Sequence, residues 1–317
     1  MSTIIDDFVC LNENGLFCKY GDFYLDPILP VKKALITHAH ADHAILGNAT
    51  VYATKATLAF MKLRYGKSLA KEQCSVEFET SFKIGEFKIT FIPAGHMLGS
   101  AQILMEYNQI KYLYTGDYKL QPDATCESIK IVNADVLITE STFADPSIAH
   151  PDPVIEIKKL NHIKSNILLG AYSLGKSQRL IKLINEHAPN KKILVHFRIL
   201  PINHIYENAG YQLGNYQIYS RKLMKNQEEF VYIVPPFTFD SYLKATGVKR
   251  LFASGWKGLQ VNKEDTLFIS DHVDWTDILN TINKVQPKQI WTLHGNGSHL
   301  KKHFGDSILV KLLNHGK

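Results

Sequence analysis

Through roughly the first 150 residues, apolar side chains recur in short alternating runs punctuated by Gly, Asn, Asp or Pro, the period of half-buried strands. Residues 15–24 alternate around Gly21-Asp22 and predict an opening hairpin. A strand is predicted over 31–37, with Ala34, Leu35 and Ile36 as its buried part, and a short one over 51–53. Residues 56–65 read as a helix presenting Leu58, Met61 and Tyr65 on one face. Strands are predicted over 87–92, 101–107 and 110–114, the last two joined through Asn108-Gln109. Another over 135–139 delivers Glu140 at its carboxyl end. From about 149 to 262 the texture changes. Strand-like runs at 167–171, 193–196 and 231–234 alternate there with helical stretches such as 177–187, a pattern that predicts a parallel sheet.

Composition narrows this only a little. At 317 residues, 45% hydrophobic and 21% charged, the chain has ample material for a core in one large domain or two intertwined ones. A formal charge of +6 is a mild excess that suits a polyanionic substrate. Cys10, Cys18, Cys74 and Cys126 show no C-x-x-C spacing, so neither a zinc ribbon nor a redox pair is indicated. With no signal peptide and no apolar run long enough to span a bilayer, the expectation is a cytoplasmic protein with reduced thiols and no membrane association.

Chemistry enters at Thr37-His38-Ala39-His40-Ala41-Asp42-His43, where three imidazoles and a carboxylate follow the strand predicted over 31–37. In an extended segment His38 and His40 project to one side, while the turn at Asp42 and His43 lets these face a neighbouring position. Such a set suits two cations better than one. Two later strands also end in ligands: one closes on Ala94-Gly95-His96, another on Thr115-Gly116-Asp117. A carboxylate has two oxygens, so Asp117 can bridge a pair of cations.

This H-x-H-x-D-H run, with His96 and Asp117 behind it, resembles the metallo-β-lactamase superfamily. The resemblance implies an α/β, four-layer αββα sandwich with a dinuclear metal site at one edge. Glu140-Ser141-Thr142-Phe143, then Ser270-Asp271-His272-Val273-Asp274-Trp275 and Leu293-His294-Gly295, resemble the β-CASP branch, the nucleases of that superfamily. On this resemblance residues 1–148 and 263–317 form the lactamase-like core and 149–262 an inserted β-CASP-type cap. Across nearly its whole length the chain is similar to the bacterial DNA ligase-associated exonucleases, although that family usually has His-Gly-Ala where this chain reads His196-Phe197-Arg198. A nucleic-acid phosphodiesterase is implied, a DNA exonuclease of repair or end processing first, with an ATP-dependent DNA ligase and a helicase as partners. One divalent cation is implied on His38, His40 and His96 and another on Asp42, His43 and His294, with Asp117 bridging. Zinc is favoured and manganese admitted, and hydroxide held between the cations attacks phosphorus. His272, supported by Glu140, gives a proton to the departing sugar oxygen; Asp42 is counted with these two as catalytic.

Several alternatives stay open. His294 is a feature of RNA-processing β-CASP nucleases, so RNA is the rival substrate. Gly170-Ala171-Tyr172-Ser173-Leu174-Gly175-Lys176-Ser177 fits the Walker A pattern to the letter, which makes a P-loop ATPase a rival. Its bulky middle residues, and the lack of a second magnesium-binding Asp after a strand nearby, argue for a milder reading. On that reading Ser173, Lys176 and Ser177 hold one backbone phosphate at a helix N-terminus, with Gln178 and Arg179 as helpers. An inactive scaffold, or a small-ester or β-lactam hydrolase, are further rivals; the filled ligand positions oppose the first, and the insert with Glu140 and His272 opposes the second. His150, His162, His187, His204, His299, His303 and His315 sit in polar contexts and read as solvated, and His196 is left undecided.

Overall fold

The computed structural model describes residues 3–224, 229–242, 246–256 and 265–313. The chain forms two compact units: one comprises Met1–Pro122, Glu127–Ala149 and His272–Lys317, the other Asp123–Cys126 and His150–Asp271. The first expected boundary, 148/149, falls beside the observed crossing at Ala149/His150. The second, 262/263, lies outside the described residues. Strand Asp265–Phe268 pairs with Val248–Ser254 in the second unit's sheet, so the chain returns at His272 rather than at 263.

The first unit holds two sheets. Its six-stranded sheet runs in chain order from Cys10–Asn12 to Ala70–Val76; Cys10–Asn12 pairs first with Gly15–Cys18, which then forms the predicted hairpin with Phe23–Leu25, Leu16 facing Leu25. Its seven-stranded sheet has Ile110–Tyr114 beside Val136–Ser141, then Gln289–Gly295 and Leu309–Leu312. Asn108 and Gln109 both take positive φ, the backbone that a tight turn between twisted antiparallel strands requires. Side-chain alternation sends Tyr112, Val136, Ile138 and Trp291 into one core with Leu16, Phe23 and Leu35 of the other sheet. Leu113, Leu137 and Ile290 point the opposite way, against Ile278, Ile282 and Val285 of the helix Trp275–Val285. With the helix Lys55–Tyr65 following strand Asn48–Thr54, these are the layers of an αββα sandwich. That helix buries Thr57, Phe60 and Met61, while Leu58 and Tyr65 are only half-buried. The buried stripe is therefore turned from the predicted one, because Thr54 caps the helix by accepting the Thr57 N–H and both hydroxyls donate to the Gly99 carbonyl.

The second unit has one six-stranded sheet, parallel throughout as the α/β pattern predicts. Its strands Asn166–Gly170 and Phe230–Val234 are central, and the helix Lys176–His187 follows the first of them. Among the described residues no helix is long and apolar enough to cross a membrane.

Candidate metal centre

The first unit gathers its ligand-type side chains at the carboxyl ends of its strands. His38 and His40 follow strand Lys33–Leu35, His96 follows Phe87–Pro93 and Asp117 follows Ile110–Tyr114. His38 Nε2 and His96 Nε2 each lie 3.1 Å from His40 Nδ1, and stand 3.7 and 3.9 Å from Asp117 Oδ2. Donor atoms of these four residues all lie within 4.8 Å of one another. Four atoms placed tetrahedrally about 2.0–2.1 Å from a zinc ion stand roughly 3.3–3.4 Å apart, so these separations fit one cation. His43 Nε2 is 3.5 Å from Asp117 Oδ2 and 3.8 Å from Asp42 Oδ2, and the His294 ring lies 5.2 Å from the His43 ring, centre to centre. Asp117 thus touches both sets, as a bridging carboxylate must. The centre is mostly sheltered: His38, His43, His96 and Asp117 are buried, His40 is half-buried, and Asp42 and His294 are exposed.

Local backbone explains the convergence. Gly116 has φ +53°, and a Cβ there would meet the Thr37 side chain at 2.7 Å, so Asp117 approaches the histidine run only because position 116 lacks one. His294 arrives differently. Strands Val136–Ser141 and Gln289–Gly295 pair in parallel until Glu140 opposite Leu293, but Ser141 then faces Gly295. His294 is the extra residue of a bulge, with φ +52°, and the bulge swings its ring out of the sheet's alternation.

The electrostatics separate roles among chemically similar groups. Burial, aided by the neighbouring His43 and His96, holds the His38 pKa well below the ordinary imidazole range, leaving it neutral with a lone pair to donate. Burial opposes charge on His43 too, but the Asp117 and Asp26 carboxylates outweigh it and raise its pKa well above that range. Asp117 is driven the other way: burial raises its pKa, and the His43 and His272 rings more than reverse this. A proton on His43 and a cation therefore compete for the same lone pair.

Asp26 was not singled out in the sequence. It is buried with φ +43°, and its carboxylate accepts from Thr37 N at 2.7 Å, Thr37 Oγ1 at 2.6 Å and Tyr114 OH at 3.0 Å, and lies 2.9 Å from His43 Nδ1. It fixes the tautomer and tilt of His43, directing Nε2 toward Asp117. Its only signal was an acid between the apolar end of the hairpin, Leu25, and Pro27.

Glu140 and His272 form a second constellation on the same carboxylate. Glu140, the penultimate residue of its strand, is fully buried; its Oε2 lies 2.8 Å from His272 Nδ1 and its Oε1 accepts the Tyr118 N–H at 3.1 Å. His272 is part-exposed and sets Nε2 3.8 Å from Asp117 Oδ2. Asp117, Glu140 and His272 also bring donor atoms within 4.8 Å.

The residues expected to hold a phosphate part company. Lys176 is 4% exposed, and its ammonium meets Asp271 Oδ2 at 3.0 Å and the Ile269 carbonyl; Ser177 is fully buried and donates to the Tyr172 carbonyl at 2.7 Å. Both side chains are turned into their own unit, with Arg179 beside them on Asp271 and the Ser270 carbonyl. Their placement is that of internal fastening, not of a phosphate cradle, because a buried ammonium stays next to its carboxylate. Only Ser173 is half-exposed. Among the other histidines, His196 is nearly buried beside the Phe197 ring, His150 is half-buried, and His303 meets the edge of Trp275.

Residues 23–197 match the model of the β-lactamase superfamily domain, more than half of the chain. The chain belongs to that superfamily. Its relatives agree with the resemblance to β-CASP nucleases. It is 28% identical over 302 residues to a "Probable DNA ligase" of Opitutus terrae, across 89% of this chain and 29% of that protein. It is 30% identical to "Endoribonuclease ysh-1" of Neurospora crassa over 56% of this chain and 26% of that one. A third match, 26% identical over 53% of this chain, is to "Cleavage and polyadenylation specificity factor subunit 3-I" of Arabidopsis thaliana. The chain thus spans less than a third of each of these curated relatives. A crystal structure of a protein of unknown function from Enterococcus faecalis shares the fold, with TM-score 0.59 at 15% identity over 90% of this chain and 79% of that one.

Proposed function

We propose that this superfamily member is a metal-dependent phosphodiesterase acting on nucleic acid, with DNA as its substrate and exonucleolytic end processing as its task. The observation that carries the reaction class is the His272–Glu140 pair set against Asp117. A proton donor fixed beside a cation-type cluster is what a departing sugar alkoxide needs. Glu140 accepts a hydrogen bond from the Nδ1–H of His272 and is itself held by Tyr118 N–H, so the ring turns Nε2, with the proton it would donate, toward the Asp117 side. His38, His40, His96 and Asp117 would hold one cation, and Asp42, His43, His294 and Asp117 the other. Such cations, when bound, supply hydroxide near neutral pH and offset phosphoryl charge. The imidazole-rich first set favours zinc, and the carboxylates admit manganese. Ionised Asp117 and neutral His38 are the protonation states that binding requires.

DNA is favoured because the match spanning most of this chain is to a protein named as a probable DNA ligase, which also supports a ligase as working partner; a helicase partner rests on the family resemblance alone. RNA is the second reading, favoured by the endoribonuclease matches over about half of the chain. The deciding assay compares end-labelled single-stranded DNA and RNA of matched sequence with added zinc or manganese, and Asp117→Ala as control. Progressive shortening of DNA, absent in the variant, is expected. Preferential internal cleavage of RNA would replace the DNA reading, and cleavage of neither would overturn the phosphodiesterase.

A further inference from the structure

The chain's whole net charge resides in its inserted unit. Within residues 123–126 and 150–271 Lys and Arg outnumber Asp and Glu by 17 to 11, whereas the first unit holds 19 of each. The sheet of the inserted unit is parallel throughout, so all its strands end on one edge. At that edge each of four neighbouring strands is followed closely by an aromatic residue. Phe197 comes two residues after Lys192–Val195, Phe237 three after Phe230–Val234, Tyr172 two after Asn166–Gly170 and Trp256 two after Val248–Ser254. In sheet order they read Phe197, Phe237, Tyr172, Trp256, one per adjacent strand. They are 60, 89, 60 and 49% exposed, and no other described aromatic of this unit is exposed.

A single exposed ring needs no explanation, but burying one stabilises a fold by about 1.5–3 kcal/mol, and four left out in a row are a recurrent loss. The unit buries its other large rings readily, among them Phe230, Tyr232 and Phe239. Neighbouring strands lie about 4.8 Å apart, so the row covers roughly 15 Å. That is a span on which aromatic side chains of a sheet take about two or three unpaired bases. The row's first ring is already held: the Arg198 guanidinium lies 5.8 Å over Phe197, and the His196 ring is 4.4 Å from it. The sequence His196-Phe197-Arg198 thus supplies both a stacking face and a cation at one end of the row.

We propose that this edge is a stacking platform for single-stranded nucleic acid, with the rings taking bases and the unit's cationic excess taking the backbone. It rests on the phosphodiesterase reading and narrows that enzyme's substrate to unpaired strands, since a duplex hides its base faces. The test uses the metal-loaded full chain. Fluorescence anisotropy compares phosphorothioate-linked 12-mers: one with bases, one of abasic sites with the same charge, and a duplex. Hydrolysis of bis(p-nitrophenyl) phosphate is measured in parallel. The base-bearing strand is expected to bind at least tenfold tighter than either of the others. Phe197→Ala combined with Phe237→Ala should abolish that difference while leaving small-ester hydrolysis unchanged, and Phe197→Tyr with Phe237→Tyr should restore it. Equal affinity for base-bearing and abasic strands, or an undisturbed preference in the alanine variant, overturns the platform. If only a protein partner of the chain loses binding on substitution, the row is a protein interface and the platform also falls. Failure to hydrolyse the small ester, with base-dependent binding intact, overturns the phosphodiesterase and leaves the platform standing.

Discussion

The contacts gathered by Asp26, two to Thr37 and one each to His43 and Tyr114, fix the histidine run against strand Ile110–Tyr114 without touching any reacting atom. Asp26→Asn is therefore expected to lower metal affinity by roughly 10- to 100-fold, measured by titration with a competing chelator, while the fold's circular dichroism stays unchanged. His272→Ala should behave in the opposite manner. Bound metal, counted by elemental analysis, should be retained while turnover falls by roughly 10²–10⁴; metal loss would recast His272 as a ligand. A third residue gives a pH signature away from the site. Half-buried and beside Asp274, Asp277 has its pKa raised to about 6. A carboxyl whose folded pKa exceeds its unfolded value costs nothing below the unfolded one and weakens the fold as pH rises through 4 to 6. Discounted for solvent screening, the loss is on the order of 1 kcal/mol. Urea melts of wild type and Asp277→Asn should converge near pH 4 and separate above pH 6, with the variant the more stable.

At the scale of elements, the bulge that carries His294 depends on Gly295, whose φ is +146° and whose added Cβ would stand 2.1 Å from the Ser141 carbonyl oxygen. Gly295→Ala should cost about 2–4 kcal/mol in urea unfolding. Gly85→Ala, with φ +58° but open space around it, should cost only about 1 kcal/mol. An equal cost at both sites would show that the bulge is soft. Strand ends were where sequence reading worked. His38, His40, His96 and Asp117 each close an apolar run, and period-two alternation together with a following Gly or turn residue is local information. The bulge was not legible, because His294 leaves the sheet only through its register with Glu140 and Ser141, some 150 residues earlier. The inward turn of Lys176 was hidden for the same reason: its partner, Asp271, is distant in sequence, while the Walker-like spacing around it is local. Asp26 failed likewise, since the carboxylate is unremarkable until Thr37, His43 and Tyr114 surround it.

For the molecule as a whole, cations bound to the folded state alone stabilise it by mass action, so chelation should lower the melting temperature by several degrees and remetallation restore it. Asp117→Ala should melt at one temperature with or without chelator; a chelator-sensitive variant would place the stabilising cation elsewhere. The two-part plan was legible from the change between alternating strands and the α/β pattern near residue 149. The point of return was not, because the last strand of the inserted sheet and the first turn of the resumed core follow each other within a few residues.

The insertion leaves after strand Val136–Ser141 and the chain comes back to lay Gln289–Gly295 directly beside it, pairing Val136 with Gln289. Closing that pair means closing a loop of about 150 residues, an entropic toll of the kind that slows folding of non-local topologies. On a ribosome the partner strand does not yet exist when the first is made, and Glu140 waits there without His272 or His294. On the proposed reading, Glu140 would gain His272, and Asp117 the approach of His294, only once Gln289–Gly295 lies beside Val136–Ser141, so folding itself would time the assembly of the site.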